Sequence, residues 1–287
     1  MYPGQKLRQL LESPEIIVIP GIYDCLGAKL AENTGFKAIA SSGFGIAAST
    51  LGLPDYGFLT ATEMLDTVGR IAQSVSIPLI ADCDTGYGNA LNVIRTVKDA
   101  VRLGIAGVIL EDQEWPKKCG HFEGKQVISM TEHMGKIRAA VDARGDSGLV
   151  IIARTDARAN LGLDEAIRRG RSYIQAGADV LFVEAPQSVA ELVAIAKAFP
   201  DVPLVANVIE GGKTPQLSVS QLQQMGFKIV FFAVSALLAA TQGMTACFQS
   251  LKEQGTTADF DNMVNFEEFK QFIGIPKYQE LEEKYRD

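Results

Sequence analysis

The chain alternates between short apolar runs and segments of helical period. Eight runs rich in Ile and Val recur, at 16–20, 38–42, 78–82, 107–111, 149–153, 180–184, 203–206 and 229–234. Each is continuous rather than alternating, as expected of a parallel strand buried on both faces. Between them, 62–73, 91–103, 131–143, 164–176 and 189–199 space their apolar residues every three or four positions, which predicts amphipathic helices. Thr60 and Ser129 each precede an acid three residues on, Glu63 and Glu132, the pattern of an N-cap. Gly104, Gly177 and Gly226 sit where helices should end.

Eight strand–helix alternations imply a parallel sheet, and their span of about 250 residues is the size of a closed (β/α)8 barrel. An open doubly wound sheet also alternates, but no glycine-rich dinucleotide fingerprint follows the first strand. The expected architecture is therefore α/β, a single barrel over residues 1–250. Residues 251–287 fall outside the repeat and predict a helical extension that packs on its own or a neighbouring barrel. Within it, 266–285 reads as one or two short amphipathic helices broken near Pro276.

Composition narrows the function classes. The 287 residues are 47% hydrophobic and 21% charged, an ordinary soluble balance. A net charge of -7 argues against a nucleic-acid binder, which needs a basic face, while local cations can still bind a small anion. The N-terminus lacks a signal peptide's apolar core, and the uncharged stretch 229–240 is too short to span a membrane. A cytoplasmic protein with reduced thiols and no membrane partner is expected. Four cysteines without a close pair, and only two histidines, make a structural zinc site improbable on ligand count. Cys25 and Cys247 read as core thiols, and His133 as part of a solvated helix face.

In such a barrel, chemistry sits at the C-terminal ends of the strands. Those ends carry Tyr23-Asp24, Ser41-Ser42-Gly43, Asp82-Cys83-Asp84, Glu111-Asp112-Gln113, Arg154-Thr155-Asp156, Glu184 and Asn207. Asp82 and Asp84 lie two apart and so share a direction, with Cys83 turned into the wall. With Glu111 they offer oxygens that suit Mg2+, or Mn2+; the competing reading is carboxylates that cap a helix and pair with Arg154. Ser41-Ser42-Gly43 can bind an anion through hydroxyl and NH groups. Arg154 can hold a carboxylate bidentately, or pair with Asp82, Glu111 or Glu184. Glu210-Gly211-Gly212-Lys213 is a candidate phosphate loop. After strand four comes Lys117-Lys118-Cys119-Gly120-His121, where two cations beside a thiol favour the thiolate. The bland alternative is a basic surface loop.

Taken in order, these motifs resemble the isocitrate lyase / phosphoenolpyruvate mutase superfamily. The resemblance is carried by Ser42-Gly43-Phe44-Gly45, Leu51-Gly52-Leu53-Pro54-Asp55, Asp82 to Gly88, Glu111-Asp112-Gln113, Lys117 to His121, Ala153-Arg154-Thr155-Asp156 and Glu210 to Pro215. The Lys117–His121 loop points to its C–C lyase branch, the dimethylmalate lyase, petal death protein and methylisocitrate lyase group. The resemblance implies a Mg2+ site at Asp84, with Asp82 and Glu111 assisting through water. It implies a turn at Ser42, Gly43 and Phe44 for a 2-oxo acid carboxylate, with Gly120 beside the substrate. Arg154 is implied as a substrate ligand, and Glu184 and Asn207 as neighbours of the second carboxylate. Asp55 is implied near the reacting centre, and Cys119 as the acid that protonates a carbanion, with Lys118 and His121 stabilising it. A di- or tricarboxylate substrate and a helix-swapped homotetramer follow from the same resemblance. The expected reaction is oxo-acid lyase cleavage of a 2-alkylmalate. Its rivals on the same site are methylisocitrate cleavage, oxaloacetate hydrolysis or decarboxylation, and a carboxyvinyl-carboxyphosphonate type phosphorylmutase reaction. The base stays open among Asp55, Glu111 and Tyr23.

Overall fold

The computed structural model describes residues 2–286. Eight strands form a closed, all-parallel barrel: β1 (Ile17–Ile22), β2 (Ile39–Ser41), β3 (Leu79–Asp82), β4 (Gly107–Glu111), β5 (Val150–Thr155), β6 (Val180–Val183), β7 (Leu204–Val208) and β8 (Ile229–Phe232). Closure is made by β1 against β8, in the register Ile17 to Ile229 and Pro20 to Phe232. The predicted helices form at Ala61–Ser74, Ala90–Arg102, Met130–Arg144, Leu163–Gln175 and Val189–Ala198. Their caps work as the sequence predicts: Thr60 Oγ1 accepts from the Glu63 N–H at 3.3 Å while Glu63 Oε2 accepts from the Thr60 N–H at 2.8 Å. Ser129 Oγ likewise accepts from the Glu132 N–H at 3.1 Å. Among the described residues, no helix is long and apolar enough to cross a membrane.

Successive side chains on a strand face opposite sides, so one parity fills the barrel and the other meets the helices. The interior set includes Ile17 and Ile19, Ala38 and Ala40, Ile80, Ile109, Val150 and Ile152, Val180 and Phe182, Val205, and Ile229 and Phe231. Burial of each large member contributes roughly 1.5–3 kcal/mol. Leu7 joins this cluster from the helix Pro3–Glu12, and Arg8 Nε donates to the Gly148 carbonyl at 2.8 Å, so that helix covers the N-terminal end of the barrel. The other parity, including Ala81, Val108, Leu110 and Ile151, packs outward against the helices with Val68, Val97 and Ile137.

His133 departs from expectation. It lies at 0% exposure inside the helix Met130–Arg144, with its ring edge-on to Tyr173 at a centroid distance of 4.5 Å. His133 lies on the same helix face as Lys136, Ile137 and Ala140, which is the buried face of this weakly amphipathic helix.

The chain divides into two compact units, Met1–Leu237 and Leu238–Asp287. The expected boundary after residue 250 falls inside a continuous helix, Ser235–Gln254. Beyond it, Phe266–Ile273 and Ile275–Lys284 are separated by Gly274, whose φ of 86° ends the first helix, and Pro276 lies in the first turn of the second. None of the residues described in these three helices is buried.

Candidate active site

Continuing the interior parity by one step past the apolar layer reaches the site. Ala40 leads to Ser42, Ile80 to Asp82, Ile109 to Glu111, Ile152 to Arg154, Phe182 to Glu184 and Val205 to Asn207. Ser42, Asp82, Arg154, Glu184 and Asn207 line a cavity of about 590 Å3, part of it open to solvent, together with Gly43, Phe44, Asp55, Cys119, Gly120 and His121. Its apolar wall is Ile109, Phe182, Ile209, Phe231 and Val234.

Arg154 is the hub of the strand-borne groups. Its Nε and Nη2 donate to Asp156 Oδ2 and Oδ1 at 2.9 and 3.0 Å, Nη1 lies 3.3 Å from Glu111 Oε2, and Nε lies 3.4 Å from Glu184 Oε2. It therefore joins both readings of the sequence, lining the cavity while paired with Glu111 and Glu184. Asp156 is bridged in turn by Lys125 Nζ at 2.9 Å. Burial alone would raise the Asp156 carboxyl, but Arg154 and Lys125 outweigh it and hold it at about 2. Asn207 Nδ2 donates to both Glu184 oxygens, at 3.3 and 3.4 Å.

The remaining groups come from loops. Residues 113–128 leave β4 and return through an antiparallel bridge between Gln113 and Val127. The Gln113 amide clasps the loop from within, with Nε2 donating to the Lys118 carbonyl at 2.8 Å and Oε1 accepting from the Lys118 N–H at 3.0 Å. Phe122 packs its ring against Phe44 and Tyr56, with centroids 6.3 and 5.5 Å away. The Cys119 N–H donates to the Asp55 carbonyl at 3.1 Å. Lys117 Nζ lies 2.8 Å from Asp55 Oδ1 and 2.7 Å from Asp84 Oδ1, fully buried between them. Gly120 allows the loop this close: a Cβ there would fall 2.4 Å from Arg154 Nη2 and 2.6 Å from Glu184 Cγ.

This geometry reverses the expectation of a thiolate. Lys117 turns to Asp55 and Asp84, and Lys118 points away from the cavity, its ammonium 3.3 Å from the Gly124 carbonyl. Burial dominates at Cys119; the His121 N–H, the next largest effect, and Arg154 oppose it, Asp55 and Glu184 reinforce it, and the thiol is pushed up to about 11. Cys119 thus keeps its proton at neutral pH. Adjacency in sequence suggested two activating lysines; neither ammonium is committed to the sulfur.

The carboxylates fit a hard divalent cation. Burial raises Asp84 to about 7, with Lys117 opposing and Asp82 and Asp55 reinforcing the rise. Glu111 is also raised well above its usual range by burial, against Arg154 and Lys117, and its buried Oε1 has no hydrogen-bond partner among the described residues. Against its own burial, Lys117 is held protonated by Asp84, Glu111, Asp55 and Asp82. Among the described residues no three His, Cys, Asp or Glu side chains already form a metal cage. Mg2+ does not require one, since it keeps several waters and takes one or two carboxylates.

Of the residues singled out by sequence, Ser42, Gly43, Phe44, Asp55, Asp82, Cys119, Gly120, His121, Arg154, Glu184 and Asn207 share one cavity. Asp84 and Glu111 are buried and tied to that wall through Lys117 and Arg154. Lys118 is not brought in. Lys117, Asp156 and Gln113 stand in the sequence motifs without a role of their own, and Lys125 in none of them. Asp156 was recoverable, since it follows Arg154 by two residues on the same strand end.

Residues 7–252 match the phosphoenolpyruvate phosphomutase family. A 2,3-dimethylmalate lyase of Eubacterium barkeri is 43% identical over 286 residues, covering 99% of each chain. An oxaloacetate acetylhydrolase, solved in complex with the inhibitor 3,3-difluorooxalacetate, superposes with a TM-score of 0.94 at 38% identity, over 99% of this chain and 98% of that one. A phosphonopyruvate hydrolase solved with oxalate and Mg2+ superposes with a TM-score of 0.90 at 34% identity, over 99% of each chain.

Proposed function

We propose that this chain, which belongs to the phosphoenolpyruvate phosphomutase family, is a Mg2+-dependent oxo-acid lyase that cleaves a 2-hydroxy dicarboxylate of the 2-alkylmalate class. The observation that carries the reading is the place of Cys119, which lines the same cavity as the Ser42–Phe44 turn and Arg154 and whose burial favours the neutral thiol. Breaking a carbon–carbon bond next to a carboxylate leaves a carbanion, and a buried neutral thiol is an acid placed to quench it.

Asp84, with Asp82 and Glu111 through water, would hold Mg2+, which when bound supplies Lewis-acid polarisation of the substrate's oxygens. The turn at Ser42, Gly43 and Phe44 binds one carboxylate. Asp55, fixed by Lys117, takes the 2-hydroxyl proton. The carbonyl forms at C2 as the C2–C3 bond breaks, and the bonding pair moves to C3, where the adjacent carboxylate spreads it. The Cys119 S–H proton then passes to C3, giving a 2-oxo acid (pyruvate for a 2-methyl substrate) and a saturated carboxylate. The hydroxyl proton on Asp55 returns to Cys119 through solvent, so the cycle consumes no co-reactant. Phe44, bulkier than a glycine, lines the cavity and is backed by Phe122, which favours a dicarboxylate over a tricarboxylate.

A second reading has one specific support, the close likeness to an oxaloacetate acetylhydrolase. A panel of 2,3-dimethylmalate, 2-methylisocitrate and oxaloacetate with Mg2+ separates the two. Pyruvate release from dimethylmalate at the highest kcat/KM supports the lyase; oxalate release from oxaloacetate as the dominant activity overturns it. We further propose a homo-oligomer, since Met244, Phe248, Phe266 and Tyr285 in residues 238–287 are 51–75% exposed and a second copy of the chain would cover them. Light scattering on the eluting protein should give a multiple of the chain mass, and a monomer would refute this.

A further inference from the structure

The loop after β7 reaches the Cys119 loop at a point that no step above uses. Glu210-Gly211-Gly212-Lys213 was a candidate phosphate loop, but its backbone is turned to a histidine instead. The Lys213 N–H donates to His121 Nδ1 at 3.0 Å. An imidazole nitrogen that accepts a hydrogen bond carries no proton, so the ring is neutral and its single proton sits on Nε2. Gly212 makes this approach possible: a Cβ there would lie 2.6 Å from His121 Nδ1 and 2.9 Å from Cε1. A second tie, outside the ring, is the ion pair between Lys213 Nζ and the exposed Glu123.

The opposite side of the ring points to a ligand. The His121 side chain is 8% exposed and lines the cavity, and Nε2 lies 3.1 Å from Glu184 Oε1 without the alignment of a hydrogen bond. Glu184 is already engaged by Arg154 and Asn207. The Nε2 proton is therefore buried beside a carboxylate, with no aligned hydrogen bond to hold it there. A free donor of this kind favours an oxygen acceptor in the cavity, because a buried unpaired N–H costs roughly 1–3 kcal/mol.

We propose that the Gly212–Lys213 backbone is a positioning segment that locks His121 as the neutral Nε2–H tautomer, so that His121 serves as a hydrogen-bond donor to a carboxylate or developing oxyanion and not as a cation or a base. The assignment of that acceptor to substrate rests on the lyase reading; the tautomer itself does not. It also ties the Cys119 loop to the loop after β7, since opening the first alone must break the Lys213–His121 bond.

The test is long-range 1H–15N correlation on full-length protein labelled at histidine. With only two histidines in the chain, His121→Gln assigns both rings. The expected wild-type pattern at neutral pH is a protonated Nε2 and an unprotonated Nδ1 for His121. Lys213→Ala, which keeps the backbone donor, should leave that pattern unchanged. Gly212→Ala, which removes the room for the contact, should shift it to a tautomer mixture or to the imidazolium. A wild-type His121 that is Nδ1-protonated or doubly protonated overturns the proposal, even if Gly212→Ala does not fold. So does a Gly212→Ala spectrum identical to wild type. Because no substrate is present, either result leaves the lyase reading to its own panel.

Discussion

The site has two halves of different origin. One stands on strand ends: Asp82, Glu111, Arg154, Glu184 and Asn207 continue the parity of the barrel interior. The other rides on two loops: Asp55 comes from residues 52–60, and Lys117, Cys119, Gly120 and His121 from residues 113–128, neither with a strand or helix of its own. The strand half is a buried charge network that the fold must satisfy to exist. The loop half is held by a few contacts, among them Lys117 with Asp55 and Asp84, the Gln113 clasp and the Phe122 packing. Stability should follow the first half and turnover the second.

The largest loss of stability is expected at Arg154. Arg154→Met leaves Glu111, Asp156 and Glu184 buried with too little positive charge, and breaking such a network by removing one partner costs about 3–5 kcal/mol. Urea unfolding should show that loss, with cleavage activity falling by more than about 100-fold. Next is Lys117→Met, a loop substitution that should act partly like a strand one. It should cost about 2 kcal/mol, less than Arg154 because Asp84 can take up a proton, and should raise the protease sensitivity of residues 113–128. An equal loss of stability for the two would erase the distinction between the halves.

His133 offers a control outside the cavity. Burial, reinforced by Lys136 and Arg169, holds its pKa at about 3, whereas the unfolded chain protonates near 6.5. The stability it contributes is complete above pH 6.5 and is lost as pH falls towards 3. Between pH 8 and pH 5 this amounts to about 2 kcal/mol. His133→Phe should flatten that part of the stability–pH curve; an unchanged slope would mean that the acid sensitivity arises elsewhere. The smallest effect belongs to Lys118→Met. Since its ammonium meets only the Gly124 carbonyl, it should change stability by less than about 0.5 kcal/mol and activity by less than about threefold. A larger loss of turnover would put Lys118 back in the chemistry.

The same division explains what the sequence made legible. The eight strands, their order and the residues just beyond them follow from continuous Ile/Val runs and a period of two, which local sterics enforce. Arg154, Glu184 and Asn207 were readable because a charge at a buried strand end has few places to go. Loop residues obey no period. Lys117 and Lys118 are chemically identical neighbours, and only the loop's path decides that one is buried between two carboxylates and the other meets the surface. The thiol state of Cys119 was misjudged for the same reason: adjacency to lysines is visible in sequence, while burial is not. His133 differs: it shares the buried face with Ile137 and Ala140, four and seven positions on, and its polar type in a weakly amphipathic helix hides that.

The central claim is that Cys119 is a neutral acid that delivers a proton to the carbanion. The direct test is single-turnover cleavage of 2,3-dimethylmalate with Mg2+ by wild type and Cys119→Ser, following pyruvate. The account predicts a rate lowered by about 100- to 10,000-fold with substrate affinity and urea stability nearly unchanged. Cleavage by Cys119→Ser within a few-fold of wild type would contradict it.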